Sequence, residues 1–370
     1  MDLKNRVDAV VDDALGTRIV GTVIMAARDG DIIYRRAAGF ADREAGRAME
    51  EDAIFRLASV TKPMVATTAL AMIERHLLGL NNAVSDHLPY FRPRLPDGSE
   101  GHITIRHLLT HTAGLGYDYA ADPEITTGMQ DTDLDYEANF ARLALQPLLF
   151  APGSGWCYSV ATDVLGAVIA RIHGSSLAEA VEHYVTGPLD MSDTGFSVTD
   201  TSRLAVPYVD GDPQPVRMQD PHTVIAPDGK RTTFSPGRVF NPRAFQSGGA
   251  GMVGTAGDFL TFLEALRNRG GTVLHPDTLV QATTNQIDDL ERDAKDAGQR
   301  FGYLGAVIVD PAAADRPQAP GTYRWGGIYG HDWFVDPANG ISAVIMTNTA
   351  LEGCNGRFPK DVARALYGAA

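Results

Sequence analysis

The pattern of apolar and polar positions predicts different elements at the two ends of the chain and in its middle. Residues 3–15 place apolar side chains at helical spacing, which predicts an amphipathic helix. Residues 19–27 and 32–38 are rich in β-forming residues, and the turn pair Asp29-Gly30 between them predicts a hairpin. Strand patterns return at residues 304–309, 322–326, 331–336 and 341–348, and a last helix is predicted at about 358–367.

Helical patterns dominate the middle of the chain, at residues 59–73, 104–110, 138–150, 162–173 and 177–186, with another helix after Thr255. A two-stranded hairpin is not stable by itself, so we expect the late strands to pair with it in one antiparallel sheet. The predicted fold class is α+β, with an antiparallel sheet flanked by helices and a mostly helical inserted lobe.

We expect one domain over residues 1–370, made of two lobes. Residues 1–60 and 250–370, approximately, would form an α/β lobe, and residues 61–249 a mostly helical lobe, with a cleft between them. Residues 190–246 show no convincing long element and contain many Pro, Gly and Asp residues. A loop of that length in a compact protein usually has a function, such as shaping a pocket wall.

The helix that begins near Ser59 carries the first candidate chemistry. Its sequence is apolar on nearly every face, which is typical of a helix buried inside a large protein. Pro63 fits only in a first turn, so the helix is predicted to start near Ser59. Lys62 lies one turn later on the same face and is the only charged residue between Arg56 and Glu74.

Burial disfavours the charged form of a lysine, and such a lysine beside a hydroxyl can activate it as a nucleophile. The spacing of Ser59 and Lys62 alone leaves a second interpretation, a helix cap followed by a lysine whose amine reaches water. The apolar surroundings argue against that second interpretation.

Composition and charge exclude several classes of function. The chain has 370 residues, 44% of them hydrophobic and 21% charged, which is typical of a soluble globular protein. A formal net charge of −14 argues against a nucleic-acid partner and disfavours anionic membrane surfaces. Two cysteines, Cys157 and Cys354, cannot make a disulfide scaffold. No apolar stretch is long enough for a membrane span, and the first residues do not resemble a secretory signal, so we expect a cytoplasmic protein.

Other motifs have competing interpretations. Residues 249–254 match G-x-G-x-x-G, but no strand precedes them, which favours a tight turn over a nucleotide site. His107 and His111 are four residues apart without an obvious third ligand, so packed or capping histidines are preferred to a metal site. Tyr158 follows a Gly-rich turn and could project into the cleft or bond to backbone in the core. No metal and no cofactor are predicted.

Together, these segments resemble the serine β-lactamase and penicillin-binding-protein superfamily, and most closely the family VIII carboxylesterases. The resemblance covers most of the chain, and its segments occur in the family's order. They are Phe55–Pro63 around Ser59 and Lys62, Ile105–Leu115, Tyr158-Ser159-Val160, Ser247–Gly251 and Trp325-Gly326-Gly327. It implies a β-lactamase/transpeptidase-like fold with Ser59, Lys62 and Tyr158 as catalytic residues.

Two departures from the class C β-lactamases bear on the substrate. Those enzymes carry Asn two places after the tyrosine and Lys-Thr-Gly on the strand, where this chain has Val160 and Trp325. An indole in place of a cation removes a charge-assisted contact with a substrate carboxylate and leaves an apolar wall. Neutral esters lose nothing by this change, so esters are expected rather than β-lactams.

The resemblance implies a two-step acyl transfer in which Ser59 attacks the carbonyl and Lys62 and Tyr158 move the proton. It places the oxyanion between the backbone N–H groups of Ser59 and Ile328. Trp325, Gly326, Gly327 and Val160 would line the substrate site. The predicted partner is a small-molecule ester, with short acyl chains favoured. The alternatives are an amidase, D-aminopeptidase or weak β-lactamase on the same residues, and a sensor that is acylated without turnover.

Overall fold

The computed structural model describes residues 2–119, 124–225, 231–293 and 296–368. Its helices are α1 (Leu3–Ala14), α2 (Thr61–Glu74), α3 (Val84–His87), α4 (Ile105–Thr110), α5 (Tyr136–Leu143), α6 (Ala161–His173), α7 (Leu177–Val181), α8 (Ala256–Arg267), α9 (Pro276–Ala282), α10 (Glu352–Asn355) and α11 (Phe358–Tyr367). Short 3₁₀ segments span Ala58–Val60 and Pro236–Phe240, and a π-helical turn at Glu182–Thr186 follows α7.

The strands are β1 (Gly21–Arg28), β2 (Asp31–Asp42), β3 (Arg47–Ala48), β4 (Phe55–Arg56), β5 (Tyr208–Val209), β6 (Val216–Arg217), β7 (His222–Ile225), β8 (Arg231–Phe234), β9 (Val253–Gly254), β10 (Gln299–Phe301), β11 (Ala306–Ile308), β12 (Tyr323–Gly327), β13 (His331–Asp336), β14 (Ile341–Thr347) and β15 (Thr349–Ala350).

One sheet with the order β10-β11-β12-β13-β14-β1-β2-β3 organises the fold. Its neighbouring strands are all antiparallel, and β14 pairs directly with β1 in the register Thr22 to Thr347. The prediction that the late strands join the early hairpin is therefore confirmed. The pairing removes the open edge that the hairpin alone would present, since β1 lies between β14 and β2.

Both faces of the sheet are covered, because side chains alternate along each strand. In β1, Ile24 packs with Val7 of α1 and Leu366 of α11 in one apolar cluster. Val23, on the opposite face of the same strand, packs with Phe259 and neighbouring residues of α8 in the larger cluster. The apolar stripes of α1 and α11 therefore stabilise one face of the sheet, and α8 covers the other.

The helix α2 lies in the largest apolar cluster and positions the candidate site. Every residue from Thr61 to Met72 is buried. Within the described residues no single helix is long and apolar enough to cross a membrane, although α6 and the segment 177–186 together, bent by 83°, pass that test by length and composition.

Some sequence expectations were wrong in detail. Residues 138–150 were expected to be helical, but α5 ends at Leu143. Pro147 follows closely, and the residue before a proline avoids helical geometry. The strand β10 was not expected.

The irregular segment 190–246 contains only the short strands β5 to β8 and a 3₁₀ turn among its described residues, in agreement with the expectation of no long element. Residues 226–230, which belong to this segment, lie outside the described residues. The division into two lobes stays a prediction.

Candidate active site

The backbone around Ser59 is held by contacts with the Gly-rich stretch that precedes α8. Strand β4 pairs with β9, and the Leu57 N–H donates to the Met252 carbonyl at 2.9 Å. The Met252 N–H in turn donates to Thr61 Oγ1 at 3.1 Å. Ala58, just before the serine, has a φ of 45°, which a non-glycine residue rarely adopts. This tight turn places Ser59 just before α2, with its hydroxyl next to Lys62.

Lys62 contacts three groups through its amine. Nζ lies 3.1 Å from Ser59 Oγ, 3.0 Å from Tyr117 Oη and 2.8 Å from the Gly249 carbonyl oxygen. A carbonyl can only accept, so one N–H always donates to Gly249. In the neutral amine the lone pair is then free to accept the proton of Ser59. The side chain is buried, with 5% of the residue exposed.

Tyr158 lies beside the same amine and against Trp325. Lys62 Nζ is 4.8 Å from the centre of the Tyr158 ring. The indole Nε1–H of Trp325 donates to Tyr158 Oη at 3.0 Å, and the two ring centres are 4.9 Å apart. The structure therefore brings Ser59, Lys62, Tyr158 and Trp325 together, as the sequence-based prediction requires.

The strand that carries Trp325, β12, lies very close to the turn formed by residues 57–60 around Ser59. A Cβ on Gly327 would overlap with the carbonyl oxygen of Leu57 and lie 3.1 Å from a methyl of Val60, so only glycine fits there. In the described parts of the chain, neither the Ser59 nor the Ile328 N–H donates to a backbone carbonyl. Gly326 is equally constrained, because a Cβ there would lie 2.6 Å from the His331 carbonyl oxygen.

Val160 occupies a different environment. It is 1% exposed and packs in the large apolar cluster at the start of α6, with its N–H donating to the Gly116 carbonyl at 3.2 Å. Its expected contact with substrate stays a prediction.

The two histidines of the α4 region are structural. His107 Nδ1 accepts from the Thr104 N–H and completes a capping box at the start of α4. His111 is 2% exposed and packs 4.8 Å from the Tyr158 ring. Burial holds the pKa of His111 well below its usual value, and the Ser159 N–H donates to its Nδ1. A neutral His111 therefore supports Tyr158, and the preference for packed or capping histidines is confirmed.

A narrow pocket lined by Lys62 and Trp325 has a volume of about 10 Å³, which is room for a single water molecule. Apolar and aromatic side chains make up most of its wall, including Ala66, Leu109, Leu165, Phe301 and Leu304. No cluster of potential metal-ligating side chains is found in the described ranges.

The matching family model is that of the β-lactamases, over residues 7–363. The chain belongs to the β-lactamase family. It is 51% identical over 375 residues to esterase EstB of Burkholderia gladioli, across 99% of this chain and 95% of that protein. EstCE1, described as a hydrolase with promiscuous acyltransferase activity, superposes with a TM-score of 0.94 at 41% identity, covering 99% of this chain and 98% of the other.

A more distant solved structure, a penicillin-binding protein from Bacillus halodurans, shares the fold with a TM-score of 0.70 at 21% identity over 99% of each chain. The predicted superfamily and fold class are therefore confirmed, as is the resemblance to family VIII esterases.

Two residues of the site were missed by the sequence reasoning. Tyr117 was not singled out from the sequence, yet its hydroxyl contacts Lys62 Nζ. Burial raises the pKa of Tyr117 well above its usual value, and neighbouring Tyr158 adds to the effect. Asp163, in the first turn of α6 and five residues after Tyr158, is 1% exposed and close enough to Lys62 for their charges to interact. The contact between positions 62 and 117 spans 55 residues, so no spacing rule could have indicated it.

Proposed function

We propose that this protein is a serine carboxylesterase that hydrolyses small esters through an acyl-enzyme on Ser59. The observation that carries the proposal is the Ser59 Oγ to Lys62 Nζ contact of 3.1 Å, in a site where Trp325 replaces a cation. Full-length similarity to esterase EstB of Burkholderia gladioli supports the same reaction class. With an indole instead of an ammonium group at this position, the site offers no charge partner there for a substrate carboxylate.

In the proposed acylation, Ser59 Oγ attacks the ester carbonyl carbon while its proton passes to Lys62 Nζ. The negative charge that develops on the carbonyl oxygen would be stabilised by the backbone N–H groups of Ser59 and Ile328. Loss of one such donor typically lowers the rate by about 10²–10³-fold. The close approach that Gly327 permits supports this role for the β12 terminus.

The intermediate then collapses, the bond to the alcohol oxygen breaks, and that oxygen takes up a proton. We assign the delivery of this proton to Lys62 and Tyr158. The Lys62 Nζ atom lies 4.8 Å from the centre of the Tyr158 ring. In deacylation a water molecule attacks the acyl carbonyl carbon and gives a proton to the same pair. The bond between Ser59 Oγ and the acyl carbon then breaks, and Ser59 Oγ takes the proton back from the pair. The acid product carries the acyl group.

Short acyl chains fit this proposal better than long ones. The pocket near Lys62 is small, and Trp325, Phe301 and Leu304 close its apolar side. Trp325, Gly326, Gly327 and Val160 are proposed as the substrate-binding set. We expect p-nitrophenyl acetate and butyrate to be turned over faster than the palmitate ester.

Acyl transfer to an alcohol is a second candidate activity of the same site. The aromatic and aliphatic walls beside Lys62 would favour an alcohol over water as acceptor, and the similar EstCE1 is described as having promiscuous acyltransferase activity. An ester product formed from vinyl acetate and a primary alcohol in buffer, in amounts that rise with alcohol concentration, would demonstrate it.

A substrate panel on the wild type and Ser59→Ala tests the main proposal. We expect p-nitrophenyl butyrate hydrolysis in the wild type and its loss in Ser59→Ala, with Lys62→Ala and Tyr158→Phe strongly impaired. Faster turnover of nitrocefin or a D-amino-acid amide would favour the amidase or β-lactamase alternative. A stoichiometric acyl adduct in mass spectrometry without turnover would favour the sensor. Retained activity in Ser59→Ala would rule out Ser59 as the nucleophile.

Partners and location follow the same reasoning as proposals. A small-molecule ester is the proposed partner, and the net charge of −14 disfavours nucleic acid and anionic membrane surfaces. Cys157 and Cys354 form no disulfide in the described parts of the chain, which suits a reducing compartment and supports a cytoplasmic location. Cell fractionation with an antibody to the protein would test the location.

A further inference from the structure

A buried carboxylate lies behind the catalytic lysine, separated from it by one glycine. Asp163 is 1% exposed and projects from α6 towards the loop 245–251. Its Oδ1 accepts from the Ser247 hydroxyl and from the Gly249 N–H, the latter at 3.2 Å. The carbonyl of the same Gly249 accepts from Lys62 Nζ at 2.8 Å. Asp163 therefore binds the N–H of Gly249, and Lys62 binds the carbonyl of the same residue.

Glycines make this close arrangement possible. A Cβ on Gly249 would collide with Asp163 Oδ2 and lie 3.2 Å from Lys62 Nζ, so the two side chains flank the Gly249 Cα. A Cβ on Gly128 would collide with Ser247 Oγ and lie 3.2 Å from Asp163 Oδ1. Larger residues at either glycine would separate the carboxylate from its donors or from the lysine.

The hydrogen bonds indicate that Asp163 is ionised. Ser247 Oγ accepts from the Ala250 N–H at 2.8 Å, so its own proton is directed at Asp163. Oδ1 thus receives two donors, which favours the charged form. Burial acts in the opposite direction and keeps the pKa of Asp163 above its usual value, although the charge of Lys62 and the two donors lower it. Oδ2 is buried and has no hydrogen-bond partner among the described residues.

A buried arginine fixes the loop from its other side. Arg238 is 5% exposed, and its guanidinium donates to the Phe245 carbonyl at 2.6 Å and to the Gly251 carbonyl at 3.1 Å. The loop between these residues is thereby held at both ends while Asp163 binds its centre. Arg238 also offers positive charge to Asp163.

We propose that Asp163 is a positioning residue for the reaction of Ser59, which holds the Gly249 carbonyl against Lys62 and supplies the negative charge that balances the lysine when it takes the serine proton. The inference rests on the proposed function. A negative charge close to Lys62 in a water-poor interior favours its ammonium form. It therefore stabilises the transition state in which Lys62 becomes charged.

The other groups that face Lys62 do not supply this negative charge. Tyr117 and Tyr158 are phenols, and burial raises the pKa of Tyr117 well above its usual value. His111 stays neutral, because burial lowers its pKa. On the side of Asp163, Arg238 is cationic and the buried Tyr136 is a neutral phenol whose pKa burial raises. Among the described groups facing the lysine, the carboxylate is the anion.

Asp163→Asn tests the inference, because it keeps the shape and removes the charge. We expect kcat for p-nitrophenyl butyrate to fall about tenfold or more with little change in KM. The acid limb of the kcat/KM profile should move at least about one pH unit lower, because the lysine loses its counter-charge. A purely structural role would lower the amount of active enzyme without moving this limb.

Asp336→Asn is the matched control. Asp336 is also fully buried and accepts from the Ala319 N–H, Asn339 Nδ2 and the Tyr367 hydroxyl, in the strand β13. This variant should lose stability and leave the acid limb in place. Hydrolysis by the wild type and its absence in Ser59→Ala are measured alongside, so a failure of the proposed function is seen separately.

Folding is checked by circular dichroism and thermal melting. A folded Asp163→Asn with an unmoved limb would overturn the inference, as would an equal shift in Asp336→Asn. If Asp163→Asn does not fold, Ser247→Ala takes its place, since it removes one donor to Oδ1 and favours the neutral acid. A limb moved in the same direction but by less would support the inference, and an unmoved limb would overturn it.

Discussion

Removing the hydrogen bond between Trp325 and Tyr158 should slow the chemical step without weakening substrate binding. Trp325 Nε1 donates to Tyr158 Oη at 3.0 Å, and the indole also packs edge-on against Phe301, with ring centres 5.3 Å apart. Trp325→Phe removes the donor but keeps an aromatic wall at the same position. The substitution therefore separates the hydrogen bond from the apolar surface.

The size of the effect depends on the charge that Tyr158 carries in the transition state. A hydrogen bond to a neutral group contributes about 0.5–1.5 kcal/mol, and one to a charged group about 1.5–3 kcal/mol. Each 1.4 kcal/mol, approximately, corresponds to a factor of ten in rate. If the phenol gains negative charge during proton transfer, kcat should fall about 10- to 150-fold. KM should stay within about threefold, because the lost contact is to the enzyme and not to the substrate.

The assay is steady-state hydrolysis of p-nitrophenyl butyrate, with the acylation step followed by rapid mixing. Trp156→Phe is the matched control, because Trp156 packs 5.5 Å from Phe301 but its Nε1 has no hydrogen-bond partner among the described residues. This control should keep kcat within about twofold. A Trp325→Phe enzyme with unchanged kcat, or a control that falls equally, would refute a role for the indole donor.

Three further predictions concern the strand approach, the second tyrosine and acid stability. Gly327→Ala should lower kcat/KM about 100-fold or more, because its Cβ would displace β12 from Leu57 and from the turn around Ser59. Tyr117→Phe should lower kcat about tenfold with KM unchanged, because the lysine amine loses a partner at 3.0 Å. Burial lowers the pKa of His331 to about 4. In the unfolded chain the same histidine binds a proton as the pH falls below about 6.5, whereas in the folded protein it stays neutral until a much lower pH. Wild-type stability should therefore fall with pH, and His331→Asn should gain about 2–3 kcal/mol relative to wild type between pH 7.5 and 4.5 in urea unfolding.

Each of these three has an outcome that would count against it. Gly195→Ala, whose Cβ would meet open space, should keep full activity, and an equal loss there would remove the steric argument for Gly327. A tenfold rise of KM in Tyr117→Phe would indicate substrate binding instead of proton transfer. A constant difference in unfolding free energy between His331→Asn and the wild type across pH would show that His331 does not titrate on unfolding.

The order and type of most elements followed from the sequence, because local chemistry determines them. The mostly apolar run in residues 341–347, which is buried along its whole length, and the helical spacing in residues 3–15 both reflect how the side chains meet the core. The residues at which helices end were harder to predict from the sequence. Helix α5, for example, ends at Leu143, well before the expected residue 150. Residues 299–301 pair with β11 only because the sheet provides an edge there, and three residues alone carry too little pattern to predict.

The amino-acid sequence by itself determined that Ser59 and Lys62 lie close together, since they are three residues apart in the 3₁₀ turn and the start of α2, which follow each other directly. Only the tertiary structure decided which groups surround that pair. The bond from Trp325 to Tyr158 spans 167 positions, and the one from Gly249 to Asp163 spans 86. Contacts of that separation depend on how helices and strands pack, and packing is set by the whole core at once. The local sequence therefore supplies the proposed nucleophile and its proposed base, while the fold supplies the charge and the hydrogen bonds around them.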